Sequence, residues 1–253
     1  MWPIFNLNNM WTIAKRELRL YFSQLTGYLI VGGYLLITAL SLWFFNSPYN
    51  LLNTELGDFN PFFEFSPVLF LFLVPALSMR TFSEEFAQGT FELLLTKPLH
   101  HYQIFGGKLL GVLLILCIAL LPTLMHAFTL SDILKGGTQL DWGVLACSYS
   151  ALLLLALLFT VSSMCASLIF QSQVASFLLG VVACFIHLYF WSFIADFAPS
   201  VLWYKWINSL GASVHYGNLS RGIIALEDVF YFFGILLTFF LTGVELIQKK
   251  KRK

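Results

Sequence analysis

Six apolar runs, too long to be ordinary core segments, constrain this chain more than anything else in it. They lie at roughly 27–45, 61–79, 104–130, 142–170, 174–195 and 229–247. A helix needs about 20 mostly apolar residues to cross a bilayer, and in hydrocarbon its backbone groups must bond within their own segment. Each run therefore reads as a transmembrane helix, and the expected fold is all-α: a polytopic membrane protein with six spans. The composition agrees, with 58% hydrophobic residues, 27 Phe and 11% charged residues, where soluble domains carry about a quarter charged. The third and fourth runs are longer than needed and should tilt or project. Only Gln171, Ser172 and Gln173 separate the fourth from the fifth, which makes a tight turn. The first run is too long for a signal-peptide core, and "FFNSPYN" offers no small-residue cleavage pattern, so it is expected to stay attached. No solenoid period or inverted half is visible, and 1–253 reads as a single transmembrane domain.

The formal net charge is only +1. The total therefore gives no reason to expect a nucleic-acid partner, and placement carries the argument. With the N-terminus inside, the inner face collects Lys15, Arg16, Arg19, Arg80, Lys97, Lys108, Lys249, Lys250, Lys251, Arg252 and Lys253, against Lys135, Lys205 and Arg221 outside. Eleven against three predicts cytoplasmic termini. The connection 196–228 then faces away from the cytosol, with Trp203, Tyr204 and Trp206 suited to the membrane interface. Before the first span, Trp11, Ala14, Leu18, Tyr21, Phe22 and Leu25 recur at helical steps, opposite Thr12, Lys15, Arg16, Arg19 and Ser23. That pattern predicts an amphipathic helix on the inner membrane surface; the alternative is a solvated helix with incidental apolar residues.

The stretch "RTFSEEFAQGTFELLLTKPLHH", residues 80–101, concentrates charge between two oily runs. Arg80 and Glu84 are four apart, which permits an ion pair. Gly89 breaks the helix, Thr90 can cap a new one with Glu92 near its positive end, and Pro98 stops it. A short helix over 91–96 results. Two readings follow. Either its leucines pack back onto the neighbouring helices as an ordinary hairpin connection, or Phe91, Leu94 and Leu95 form an exposed apolar knob that wants a groove on another protein.

Glu84-Glu85, Gly89-Thr90, Glu92-Leu93-Leu94-Leu95, Pro98-Leu99, Gly106 and Lys108 resemble the pattern after the second span of type-2 ABC exporter permeases. The resemblance covers the whole chain. It implies that the N-terminal helix with Lys15, Arg16 and Arg19 is the family's elbow, and that Glu84, Glu85, Gly89, Thr90, Phe91, Glu92, Leu94 and Leu95 belong to a cytoplasmic coupling helix docking on an ATP-hydrolysing subunit. Within the family, "WTIAKRELRLYFSQLTGYLI", "FNPFFEFSPVLFLFLVPALSMRTFSEE" and "GTFELLLTKPL" are similar to gliding-motility-associated permeases of the GldF type. That similarity implies a bacterial inner-membrane location, an ATPase of the GldA type and a membrane subunit of the GldG type. A second permease, either another copy or a different chain, would complete the pore.

The chain itself shows no ATP site. Its Gly107-Lys108 pair is followed by Leu109 where a P-loop needs Ser or Thr, so no cofactor is expected here and ATP belongs to the partner. Cys117, Cys147, Cys165 and Cys184 lie in or beside apolar runs without CxxC spacing or neighbouring His, and read as small hydrophobes. His126, His187 and Glu64 are candidate polar residues of a translocation path, because an ionisable group in a membrane is costly; a neutral histidine bonded across helices is the plainer alternative. Pro75 and Pro122 can kink their helices. Ser162, Ser163, Ala166 and Ser167 give span four a face for close packing. Ser163 and His187 keep open an intramembrane serine hydrolase, although no Gly-x-Ser-x-Gly elbow is present. An ion-coupled secondary transporter would need carboxylates at mid-membrane, and no span has one near its centre.

Overall fold

In the computed structural model, residues 7–53, 58–134 and 140–251 are described. Lys135, Arg252 and Lys253, counted above for orientation, lie outside them. The described residues form helices α1 (Leu7–Phe22), α2 (Leu25–Trp43), α3 (Asn60–Ser78), α4 (Arg80–Ala87), α5 (Phe91–Leu95), α6 (His101–Leu120), α7 (Leu124–Ile133), α8 (Trp142–Ile169), α9 (Gln173–Phe185), α10 (Trp191–Ala195), α11 (Val201–Asn208), α12 (Ala212–Ser220) and α13 (Leu226–Lys251). Among the described residues, six helical stretches are long and apolar enough to cross a membrane: Leu25–Trp43, Asn60–Ala87, His101–Ile133, Trp142–Ile169, Gln173–Ala195 and Leu226–Lys251. They coincide with the six apolar runs.

α8 is the axis of the bundle, with α3, α6, α9, α12 and α13 packed around it. Its most apolar window is 78% buried, against 17% for α13, which explains why hydropathy alone does not rank the spans by position. Asp141 starts α8 by accepting from the Gly143 and Val144 N–H groups at 2.8 and 3.2 Å. The small-residue face of α8 is spent inside the chain. Ser162, Ser163, Ala166 and Ser167 are all buried, Gly180 of α9 lies against Ser163, and Ser167 shares a 3.1 Å hydrogen bond with Thr81.

Proline divides the third span. Pro122 sits in a 3-10 turn, Leu121–Thr123, between α6 and α7, because its ring lacks the N–H that would continue the α ladder. The fifth span is divided by a π-helical turn, Ile186–Phe190, that carries His187.

Two features of the packing go beyond the sequence pattern. The first concerns the orientation of α1. Met10, Ile13, Ala14, Glu17 and Tyr21 are its buried side, while Trp11 is 48% exposed and Leu25 is exposed too. Three glycines of α6 turn it. A Cβ on Gly107 would lie 2.7 Å from the Ile13 Cβ, one on Gly111 would lie 2.7 Å from the Glu17 Cβ, and one on Gly106 would collide with Met10. The missing side chains let α1 lie against the α6 backbone, and that groove, not amphipathicity alone, selects its inner face. The second concerns the connection 196–228, part of which packs into the bundle. α11 has no buried residue and displays Trp203, Tyr204 and Trp206, as expected. α12, however, folds back into the bundle, where Tyr216 Oη donates to the Phe63 carbonyl at 2.6 Å and Ser148 Oγ donates to the Ser220 carbonyl at 2.5 Å.

Candidate functional site

α4 continues the second span and ends in a hydrogen-bonded helix stop. Gly89 adopts φ +67°, the Gly89 N–H donates to Phe86 O at 3.2 Å, and the Thr90 N–H donates to Glu85 O at 3.0 Å. This is the double bond of a Schellman motif, which satisfies the last carbonyls and needs a residue at ease in the left-handed region. The expected ion pair forms: Arg80 Nε donates to Glu84 Oε2 at 2.8 Å, and the other guanidinium nitrogens reach Thr26 Oγ1 and Gln24 Oε1. Thr90 does not cap α5. Its backbone is already helical, and its hydroxyl points back to Glu85 O at 3.5 Å.

The expected apolar knob is largely turned inward. Phe91 and Leu94 are each 5% exposed, packed with Phe82, Ile104, Phe105, Met164 and Leu168; Leu95 is half-buried. Phe91 stands edge-on to Phe86 at 4.5 Å. The helix is only five residues long, and its two largest inward side chains are needed to hold it to the bundle. What α5 presents outward is Glu92, Leu93, Thr96 and Lys97, with Leu93 65% exposed.

Beneath this segment lies a cluster that sequence reasoning missed. Lys108, 1% exposed on α6, donates to Glu17 Oε1 of α1 at 2.9 Å, to Glu85 Oε1 of α4 at 2.9 Å and to Thr81 O at 2.5 Å. All three ammonium protons are thereby engaged, which is the condition for tolerating a charge out of water. One side chain so ties together the N-terminal helix, the end of the second span and the start of the third. Arg16 Nη2 approaches Glu85 Oε1 at 3.9 Å from the exposed side. Lys15 and Arg19 are exposed and Glu84 is partly exposed. Two signals could have found the cluster: Glu17 falls on the same helical side as Ile13, Ala14 and Tyr21, and Gly106, Gly107 and Gly111 flank Lys108.

The remaining candidates lie elsewhere and do not converge. His126 is eighteen residues beyond Lys108 along the third span, about 27 Å at helical rise, and its Nδ1 accepts from Trp43 Nε1 at 3.0 Å. His187 packs edge-on against Phe239 with ring centroids 5.2 Å apart. Ser163 Oγ is 3.5 Å from Cys184 Sγ; among the described residues no hydrogen bond joins Ser163 to His187, so the pairing a hydrolase needs is not formed. Glu64 is exposed beside a cavity of about 370 Å³ that Asn60, Tyr189, Tyr216 and Arg221 also line. A second unforeseen group holds α12 to α13. His215 Nδ1 meets Asp228 Oδ1 at 2.6 Å, its Nε2 meets Ser209 O at 2.8 Å, and Tyr231 stacks on the ring at 4.0 Å.

A family model described as "ABC-2 family transporter protein" matches residues 11–244, from the first turns of α1 almost to the end of α13. The chain belongs to that family. No curated protein matches it. As an ABC-2 permease it is a multi-pass transport subunit of a membrane, not itself a hydrolase. The matched span takes in every part of the Lys108 cluster, so Glu17, Glu85 and Lys108 all lie within the permease body.

Proposed function

We propose that this ABC-2 permease is the membrane subunit of an ATP-driven exporter, with the α4–α5 segment as its contact to a cytoplasmic ATPase subunit. The reading includes cytoplasmic termini, a bacterial inner-membrane location and a role in gliding motility, with an ATPase of the GldA type, a second permease, either another copy or a different chain, and an associated GldG-type membrane subunit. ATP is bound and hydrolysed on the partner only. The observation that carries it is the Lys108 cluster: a push on α5 passes through α4 to Glu85, and from Glu85 through one buried ammonium to α1 and α6. The eleven-to-three distribution of Lys and Arg supports the orientation, and the similarity of "GTFELLLTKPL" to gliding-motility permeases supports the subfamily.

The contact face is revised from the buried knob to Glu92, Leu93, Thr96 and Lys97. Replacing Glu92 by Arg together with Leu93 by Asp should leave membrane insertion intact and sharply reduce recovery of the ATPase from native membranes in a pull-down. Wild-type recovery by that variant, or outside labelling of Leu93→Cys by an impermeant reagent in intact cells, would refute the proposal.

A further inference from the structure

We infer that His215 and Asp228 form a proton-dependent latch, which holds the link between α11 and α12 while the two side chains share two protons and releases it when one leaves. Both are buried, His215 8% exposed and Asp228 2%. Each ring nitrogen faces an oxygen. Nδ1 lies 2.6 Å from Asp228 Oδ1 of α13, and Nε2 lies 2.8 Å from the carbonyl of Ser209, the residue that follows α11. A carbonyl oxygen only accepts, so Nε2 carries a hydrogen. A second hydrogen lies between Nδ1 and the carboxyl, because a ring lone pair and a carboxylate would repel at that separation. The count is two whether the pair is imidazolium with carboxylate or imidazole with carboxylic acid. A neutral ring beside a carboxylate has only one. Closure of both contacts thus requires a definite number of protons.

The surroundings offer no substitute for the second proton. Tyr231 of α13 stacks on the ring, and Asn218 of α12 donates to the two Asp228 oxygens at 3.4 and 3.3 Å. α8 and α10 meet α12 through hydroxyls, Ser148 on the Ser220 carbonyl and Ser192 with Ser213 at 2.9 Å. Glu64, Tyr189, Tyr216 and Arg221 line a cavity that His215 does not border, and Glu227 is exposed. Among the described residues, Asp228 is the one charged side chain hydrogen-bonded to the ring.

When one proton leaves, the other stays on Nδ1, since a hydrogen bond to a carboxylate is stronger than one to a neutral carbonyl. Nε2 then turns a lone pair on the Ser209 carbonyl, and the two acceptors repel. The contact that opens is therefore the one to the link, while the contact from α12 to α13 survives. The end of α11 has few other ties: Tyr231 Oη donates to the Leu210 carbonyl at 2.8 Å, Ser192 Oγ donates to Asn208 Oδ1 at 2.9 Å, and α11 has no buried residue. Loss of the Ser209 bond loosens the helix that displays Trp203, Tyr204 and Trp206. The closed form binds one proton more than the open form, so it is favoured as pH falls and lost as pH rises.

The test uses the full chain in detergent, with its four native cysteines replaced by alanine and a nitroxide attached through Leu210→Cys, an exposed position in the link. Electron paramagnetic resonance line shapes between about pH 5 and 9, the range in which imidazoles titrate, give the ratio of mobile to immobile label. That ratio should rise with pH, by at most about tenfold per unit, the limit for release of one proton. His215→Gln keeps an N–H for Ser209 and has no proton to lose, so its ratio should not depend on pH. Tyr231→Phe removes a tie to the same link but leaves a ring stacked on His215; it should raise the ratio at every pH and keep the dependence. A background ratio that stays flat or falls with rising pH overturns the latch, whether or not His215→Gln folds. A dependence that survives in His215→Gln, or disappears in Tyr231→Phe, assigns the titration to another group and overturns it equally.

Discussion

Replacing Lys108 by Met tests the cluster on which the proposed coupling depends. Methionine keeps the length and apolar stem of lysine, so packing on α6 is preserved and the change is confined to charge. It leaves the Glu17 and Glu85 side chains, 6% and 10% exposed, without their shared cation. Breaking a buried pair by removing one partner costs about 3 to 5 kcal/mol. At about 2 to 4 °C per kcal/mol for a chain of this size, the unfolding temperature should fall by roughly 6 to 20 °C. A thermal ramp in detergent, followed by tryptophan fluorescence, reads this directly. The companion variant carries Lys108→Met, Glu17→Gln and Glu85→Gln together; with no buried charge left among the three, it should recover more than half of the loss. ATPase stimulation by the permease should not recover, because neutral amides do not rebuild the tie between α1, α4 and α6. A Lys108→Met shift below about 2 °C, corresponding to under 1 kcal/mol, would refute the reasoning, since it would mean that the two carboxylates are already neutral or hydrated. Failure of the triple variant to recover would show that packing, not charge, sets the cost.

Two further outcomes are expected. Gly107→Leu should detach α1 from α6, because even a Cβ there would lie 2.7 Å from Ile13; cross-linking by a bifunctional thiol reagent between Cys substituted at Arg16 and at Gln88, which line one cavity between α1 and α4, should drop sharply while the six spans still insert. Asp228→Asn should cost about 2 to 4 kcal/mol, as a buried hydrogen bond between the Asp228 carboxyl and His215 is lost, and should increase proteolysis between α11 and α12; unchanged cleavage would show that the His215 group does not hold α12 to α13.

The spans were legible because a membrane helix announces itself within one contiguous window, and window length and hydropathy are local properties of the sequence. The helix stop at Gly89 was legible for the same reason: a glycine between two short helical patterns needs no knowledge of the rest of the chain. The inward turn of Phe91 and Leu94 was not, because it depends on Phe82 and Phe105 arriving from other helices. Nor was the role of Lys108, whose partner Glu17 is 91 residues away; read alone, a lysine near the end of a span looks like one more positive charge for orientation. α12 escaped because its inner side mixes His215, Tyr216 and Ser220 with Ala212 and Leu219, a pattern too polar for a hydropathy window. Each miss is a long-range pairing, and each is satisfied by a polar or aromatic contact that local periodicity does not encode.

The glycine-lined contact between α1 and α6 also bears on mechanics. Where two helices touch through long side chains, a rotamer change lets one roll over the other; where Ile13 and Glu17 rest on bare backbone at Gly107 and Gly111, no such play exists. The pair therefore behaves as one stiff beam, pinned at Lys108. A beam bends at its weakest section, and along the third span that section is the 3-10 turn at Pro122. It lies fourteen residues past the pin, about 21 Å along the axis at helical rise. A small tilt imposed at the Lys108 end of α6 is therefore expected to reach the turn at Pro122 largely intact and to emerge there as a swing of α7.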